Sequence, residues 1–216
     1  MIVELAGPAG AGKSTLVQRV IARDARGAAA LSIWGLPRLE LLRSAIALIP
    51  TACRAALGGR PLRLAELAQM MRLDTLRRAV ARAARRHPVV LLDEGAVFGL
   101  SWLEVFFGRN GDPGFAAWRR RSITGWAELL DLVVLVDAAD PALAERIRTR
   151  EKPHPVKHRP DAVIYDFTAT FRAAFDHVLK DLRGAGDVRV CGLATDRDHP
   201  DGGTANLLAA LGSLSS

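Results

Sequence analysis

An α/β fold built on a parallel sheet is predicted by three observations. Short apolar runs alternate with helical patterns along all 216 residues. Two of those runs, Val89-Val90-Leu91-Leu92 and Leu132-Val133-Val134-Leu135-Val136, are apolar without alternation, as strands covered on both faces should be. A glycine-rich turn also stands between the first run and an amphipathic helix, which is the start of a βα unit.

Ile2 to Ala6 reads as the first strand, and Leu16, Val17, Val20 and Ile21 form the stripe of the helix after the turn. Leu31 to Trp34 reads as a weak second strand. Residues 36–88 form a helical insertion whose best helix carries Leu64, Leu67, Met71, Leu76, Val80 and Ala84 on one face and arginines on the other. The two apolar runs supply strands three and four, and Val188 to Cys191 a weaker last strand. Before that strand, a helix from near Asp161 carries Phe167, Phe171, Phe175, Val178 and Leu182 at a spacing that marks core. Repeats, low-complexity tracts and linkers are absent, so the whole of 1–216 is expected to be one domain.

Half the residues are apolar and a quarter charged, the balance of a soluble enzyme rather than a disordered chain. A chain of this length buries roughly 70% of its unfolded surface and needs no staples. The net charge is +7, with 26 arginines against 4 lysines. This surplus fits anionic ligands and does not require nucleic acid. Cys53 and Cys191 match no metal or redox spacing and read as reduced thiols. The start of the sequence has no basic region, and no uncharged stretch is long enough for a bilayer. A cytoplasmic protein without a membrane partner is expected, with assembly left open, a homodimer included.

Gly7-Pro8-Ala9-Gly10-Ala11-Gly12-Lys13-Ser14 satisfies G-x-x-x-x-G-K-S, the Walker A pattern of the phosphate-binding P-loop. Its glycines allow Gly10, Ala11 and Gly12 to turn their N–H groups onto phosphate oxygens, beside the positive end of the next helix. Lys13 reaches the β- and γ-phosphates, Ser14 offers a hydroxyl to Mg²⁺, and Thr15 adds an N–H near the α-phosphate. ATP and Mg²⁺ are therefore the expected cofactors. Asp93 and Glu94 end the third strand at the ligand edge of the sheet, where an acid binds Mg²⁺ or accepts the proton of an attacking hydroxyl. Asp93, the first polar residue, is the choice for the metal; which of the two takes a proton stays open. After the fourth strand, Asp140 is expected as N-cap and Pro141 as the first residue of a helix in which Arg146 and Arg150 share a face and Arg148 does not. With the Pro153 to His158 loop, these arginines could clamp a phosphate being transferred. Arg119-Arg120-Arg121 either bind an acceptor phosphate or form a solvated run, the second being preferred.

Together these motifs resemble the P-loop nucleoside and nucleotide kinases, the group of thymidylate, adenylate and deoxynucleoside kinases. Gly7 to Thr15 matches the family's phosphate loop, and Leu92-Asp93-Glu94-Gly95 is similar to its acid after the third strand. Leu130 to Asp137 looks like its fourth strand, and Arg146-Ile147-x-x-Arg150 like its lid entrance. The resemblance implies a five-stranded parallel sheet, a helical acceptor-binding region at 36–88 and a short lid at 146–160. It implies catalytic roles for Lys13, Asp93 and Arg150, with Arg146 stacked on adenine. The acceptor so implied is a nucleoside or nucleoside monophosphate. Two departures keep a different hydroxylated metabolite open: Glu94-Gly95 stands where the family has an arginine, and 36–88 shows no base-reading motif. A P-loop ATPase or regulatory switch using Asp93 and Glu94 as a Walker B pair is the alternative.

Overall fold

The sheet is built around β1 (Ile2–Ala6), every residue of which is buried. A computed structural model describes residues 1–23, 27–108 and 112–195. After β1 come α1 (Lys13–Arg23), β2 (Ala29–Ser32), α2 (Arg38–Leu57), α3 (Leu64–Ala83), β3 (Val90–Asp93), α4 (Ala96–Phe107) and α5 (Pro113–Ala127). The chain continues through β4 (Leu132–Asp137), α6 (Asp140–Thr149), α7 (Asp161–Ala185) and β5 (Arg189–Ala194). All five strands are parallel in the order β2-β3-β1-β4-β5. From β1 the chain runs toward one edge and from β4 toward the other. The crevice at the carboxyl ends of β3, β1 and β4 is thus the place where such a sheet binds ligands.

Because the sheet is covered on both faces, alternate residues of one strand feed two cores. Val3 and Leu5 pack with Leu16, Val17 and Val20 of α1 on one side. Ile2 and Ala6 join a larger cluster of α3, α4, α5 and α7 on the other. Among the described residues, no helix is long and apolar enough to cross a membrane.

Several boundaries differ from those the sequence predicts, each for a physical reason. β2 ends at Ser32, opposite Asp93, because β3 ends there too. Ile33 keeps one further bond, donating its N–H to Glu94 O at 3.3 Å, and Trp34 is released from the sheet. The last strand extends to Ala194 because all six residues of β4 pair with it. In α3 the buried face is Glu66, Gln69, Met70, Leu73, Leu76 and Val80, whereas Leu64 is 86% exposed and Ala84 is the exposed C-cap. Glu66 causes the shift by reaching back to accept the Arg63 N–H at 3.1 Å, which seats its side chain inside the first turn. In α6 the N-cap is Ala139, not Asp140; Asp140 is the first helical residue, and its carboxylate accepts from Arg172 at 2.6 Å.

The insertion at 36–88 is the antiparallel pair α2 and α3, which packs on α4 and α5. Ser44, Thr75 and Arg78 join the two helices through hydrogen bonds beneath the Glu40 carbonyl. Arg119 forms ion pairs with Asp181 and, at 3.6 Å, with Glu104, so it ties α5 to α7 and α4, while Arg120 and Arg121 are exposed. The C-terminal half of the 111–114 turn caps α5, with Asp112 accepting the Phe115 N–H; Gly111 lies outside the described residues.

Candidate active site

The phosphate loop leaves the buried β1 and turns at Gly7 under the end of β4. A Cβ at Gly7 would lie 1.9 Å from the Val136 carbonyl oxygen, so no other residue fits. At Gly10, with φ of +85°, a Cβ would press on Leu143 O and Arg146 Cβ at 3.1 and 3.3 Å. The loop is thus wedged between β4 and α6 with its backbone turned to the cavity. Lys13 begins α1, is buried, and donates to Gly7 O at 2.8 Å and Pro8 O at 2.9 Å. Burial lowers the pKa of its ammonium, which the nearby Glu94 and Asp93 carboxylates oppose. An anion beside that ammonium would restore part of what burial removes.

Asp93 ends β3, paired with Leu5 and Ser32 in the neighbouring strands. Its Oδ1 is buried and has no hydrogen-bond partner, an orphan acceptor of the kind that binding a cation or a hydroxyl would satisfy. Glu94 has φ of +61°, a backbone strain worth about 1–3 kcal/mol for a non-glycine residue. Two contacts hold it there: its carbonyl accepts the Ile33 N–H, and its Oε2 accepts the Trp34 indole N–H. Glu94 is therefore fixed rather than loosely solvated.

Gly95, which stands with Glu94 at the first departure from the kinase pattern, is explained from below by Glu4. This carboxylate, in the middle of β1, is fully buried and accepts the N–H groups of Val97 at 2.9 Å and Phe98 at 3.2 Å. It satisfies the first turn of α4 as a cap supplied from another strand. A Cβ on Gly95 would sit 2.8 Å from the Glu4 carboxylate, which leaves no room for a side chain. Burial pushes the Glu4 pKa up to about 7 against the pull of those backbone donors.

Arg146 lies on α6 and donates to Gly10 O at 3.2 Å, Thr195 Oγ1 at 3.2 Å and Thr195 O at 3.0 Å. Thr195 in turn donates to Ala11 O at 2.9 Å, so the guanidinium bridges the phosphate loop and the end of β5. Arg150 is not on the same helical face, because α6 stops at Thr149 and Arg150 is its extended C-cap. It still lines the cavity with Arg146, and its charge lowers the pKa of both Lys13 and His154. Arg148 points away, paired with Asp161 and donating to Arg159 O at 3.3 Å. The segment after α6 is anchored by Val156, which packs on Ala144, Ile147 and Ile164, and by Lys157, which donates to the Arg150 carbonyl.

These groups open onto one cavity of about 1030 Å³, which Ser14, Thr15, Lys13, Asp93 and Glu94 also line. That is ample for two small ligands end to end. Its far wall was not foreseen. Phe98, Trp102 and Phe106 of α4 and Phe167 and Phe171 of α7 line it, so the upper end of the α7 stripe both packs in the core and borders ligand space. The signal was present in the four-residue spacing of Phe98, Trp102 and Phe106. No residue of 36–88 lines this cavity; Leu36, Pro37, Ala79 and Arg82 instead border a smaller one of about 580 Å³ that shares Ser14, Trp34 and Asp93. Arg119, Arg120 and Arg121 line neither.

A magnesium ion fits this donor set. Among the described residues no three His, Cys, Asp or Glu side chains converge as a metal cage. One hydroxyl at Ser14 and one orphan carboxylate oxygen at Asp93 suit an ion that takes its remaining ligands from phosphates and water.

No protein-family model and no curated protein matches the sequence. Solved structures do. A deoxyadenosine kinase from M. mycoides with the products dCMP and a flexible dCDP bound superposes with a TM-score of 0.58 at 12% identity, over 99% of this chain and 100% of that one. The same enzyme with dCTP gives 0.56 at 11% identity over the same shares, and with dATP 0.53 at 13% identity over the whole of both chains. At these identities the likeness is one of fold. The chain has the five-stranded, all-parallel α/β fold of the P-loop deoxynucleoside kinases.

Proposed function

We propose that this protein catalyses ATP-dependent, Mg²⁺-assisted transfer of a phosphoryl group to a hydroxyl of a small molecule. One observation carries the reading: the phosphate loop and the orphan Asp93 carboxylate line a single cavity that continues onto a separate wall suited to a second ligand. The fold match to deoxyadenosine kinases supports the same class of reaction. It also supports the nucleoside-type acceptor implied by the resemblance.

In this reading the Gly10, Ala11, Gly12 and Thr15 backbone donors hold the donor phosphates. Lys13 and Arg150 face the transferring group, where their charge matters most as negative charge moves toward the leaving oxygen. Arg146, already fixed by Gly10 and Thr195, presents its planar face to the adenine. Asp93 orients the acceptor hydroxyl or the metal. When bound, Mg²⁺ neutralises charge on the β- and γ-phosphates, and Ser14 and Asp93 are the residues that would hold it.

A second reading, hydrolysis, is favoured by the fixed and strained Glu94, since an immobilised carboxylate is what water activation requires. Incubation with γ-labelled ATP, Mg²⁺ and a pool of nucleosides, nucleotides and neutral alcohols separates the two. Label on a small-molecule product supports transfer; release of inorganic phosphate at a rate that no acceptor changes supports hydrolysis.

A further inference from the structure

We infer that this protein pairs with a second copy of itself through an antiparallel contact between the outer faces of the two α2 helices. No residue of α2 lines the phosphate-binding cavity, so this pairing stands apart from the phosphotransfer reading.

Five of the eight large apolar side chains that are exposed among the described residues lie on α2. Leu39 is 66% exposed, Leu42 57%, Ile46 60% and Ile49 54%. Cys53 and Ala56, also exposed, continue the row. The steps along it alternate between three and four residues, the heptad spacing that keeps one seam aligned along a paired helix. The helix already has a core face. Ser44, Leu48, Thr51 and Ala55 are buried on the side that packs toward α3 and α5. At about 3.6 residues per turn, the exposed row points directly away from that side, so no part of its own fold covers it.

The row is its own complement. Turned end for end about a two-fold axis between Ala47 and Leu48, α2 sets Ile46 opposite Ile49, Leu42 opposite Cys53 and Leu39 opposite Ala56 of the second copy. Each contact then occurs twice, as an isologous pair requires. Charge favours the same occupant. From Ser44 to Cys53 the helix carries no Asp, Glu, Lys, Arg or His, so two molecules of net charge +7 meet there without opposing cations. Arg43, beside the row, is paired with Glu40 of its own chain at 3.2 Å and would lie beside Pro50 of the second copy. A parallel pair would instead set Arg38 against Arg43. A helix lying on an anionic lipid surface presents cations on its polar face, whereas the opposite face of α2 is core. The row is about 26 Å long and with its flanks covers on the order of 600 Å² per copy, the low end for a specific pair. A dissociation constant of about 10 µM follows from so small a contact.

The test is sedimentation velocity on the full chain, across about two decades of concentration around that value. The expected result is a reversible monomer–dimer equilibrium. Ile46→Glu and Ile49→Lys each place a charge in the central layer and should raise the dissociation constant about a hundredfold. Both positions are exposed, so the core stays intact, which circular dichroism checks. Because Ile46 faces Ile49 of the second copy, an equal mixture of the two variants should pair again, the new carboxylate meeting the new ammonium. A parallel pair gains no such contact. A monomer at every concentration overturns the inference, and binding of that monomer to vesicles of anionic phospholipid would assign the face to a lipid surface instead. A dimer that neither substitution weakens overturns it, as does a mixture of the two variants that stays monomeric.

Discussion

Lys13 and Asp93 are opposite cases of one rule, that a buried polar group needs a partner. The Lys13 ammonium has two carbonyls but is lowered in pKa by burial, and Asp93 Oδ1 has no partner at all. Replacement of Lys13 by Ala should lower kcat/KM by about 2–4 kcal/mol of transition-state stabilisation, the range for a lost charge-stabilising group. Its melting temperature should change little, because the glycines and the Ala11-to-Pro8 hydrogen bond still shape the loop. Steady-state kinetics beside a thermal melt check both halves. Asp93→Asn keeps the shape and removes the charge, so turnover should fall far more than ATP affinity; normal turnover there with a dead Glu94→Gln would favour hydrolysis. The phosphate loop was legible because one backbone turn demands glycines and a lysine at fixed offsets. Glu4 was not, since a carboxylate inside an apolar run declares nothing about a partner ninety-three residues later in the sequence.

At the scale of elements, α6 and its exit separate three arginines that look alike in sequence. Arg146 is held by three hydrogen bonds to Gly10 and Thr195, Arg150 sits one residue beyond the helix, and Arg148 is paired with Asp161 outside the cavity. Arg146→Ala should chiefly raise the KM for ATP, because its contact is the same in ground and transition states. Arg150→Ala should chiefly lower kcat, because its interaction strengthens as charge moves. Arg148→Ala should leave both unchanged and cost about 0–1 kcal/mol of stability, as exposed pairs do. Equal mild effects from all three would mark a solvated helix end. Strand existence was readable from uninterrupted apolar runs, whereas strand ends were set by the partner strand, as at Ser32 and Ala194. The α7 stripe is core as its spacing predicts, but that Phe167 and Phe171 also border the cavity was not legible, because core and cavity wall use the same four-residue spacing.

Across the whole molecule, Glu4 couples the central strand to α4, the helix that carries three of the five rings of the aromatic wall. Its folded pKa of about 7 lies above the ordinary 4.5, so between those values the folded state holds a proton that the unfolded chain has released. Its contribution to stability is fully present below pH 4.5 and declines as pH rises through 7, by about 3 kcal/mol in total. Glu4→Gln should flatten this dependence and gain on the native protein with rising pH, as urea denaturation from pH 4.5 to 8 will show. A difference constant across that window would mean that Glu4 does not titrate there. The central claim is that the phosphate loop, the β3 acid and the ring-lined wall act in one transfer reaction. Its most direct measurement is the amount of ADP formed against phosphorylated acceptor in a single turnover. The account predicts that acceptor accelerates ADP formation and that each ADP is matched by one phosphate monoester. ADP matched instead by inorganic phosphate, at a rate indifferent to acceptor, would contradict it.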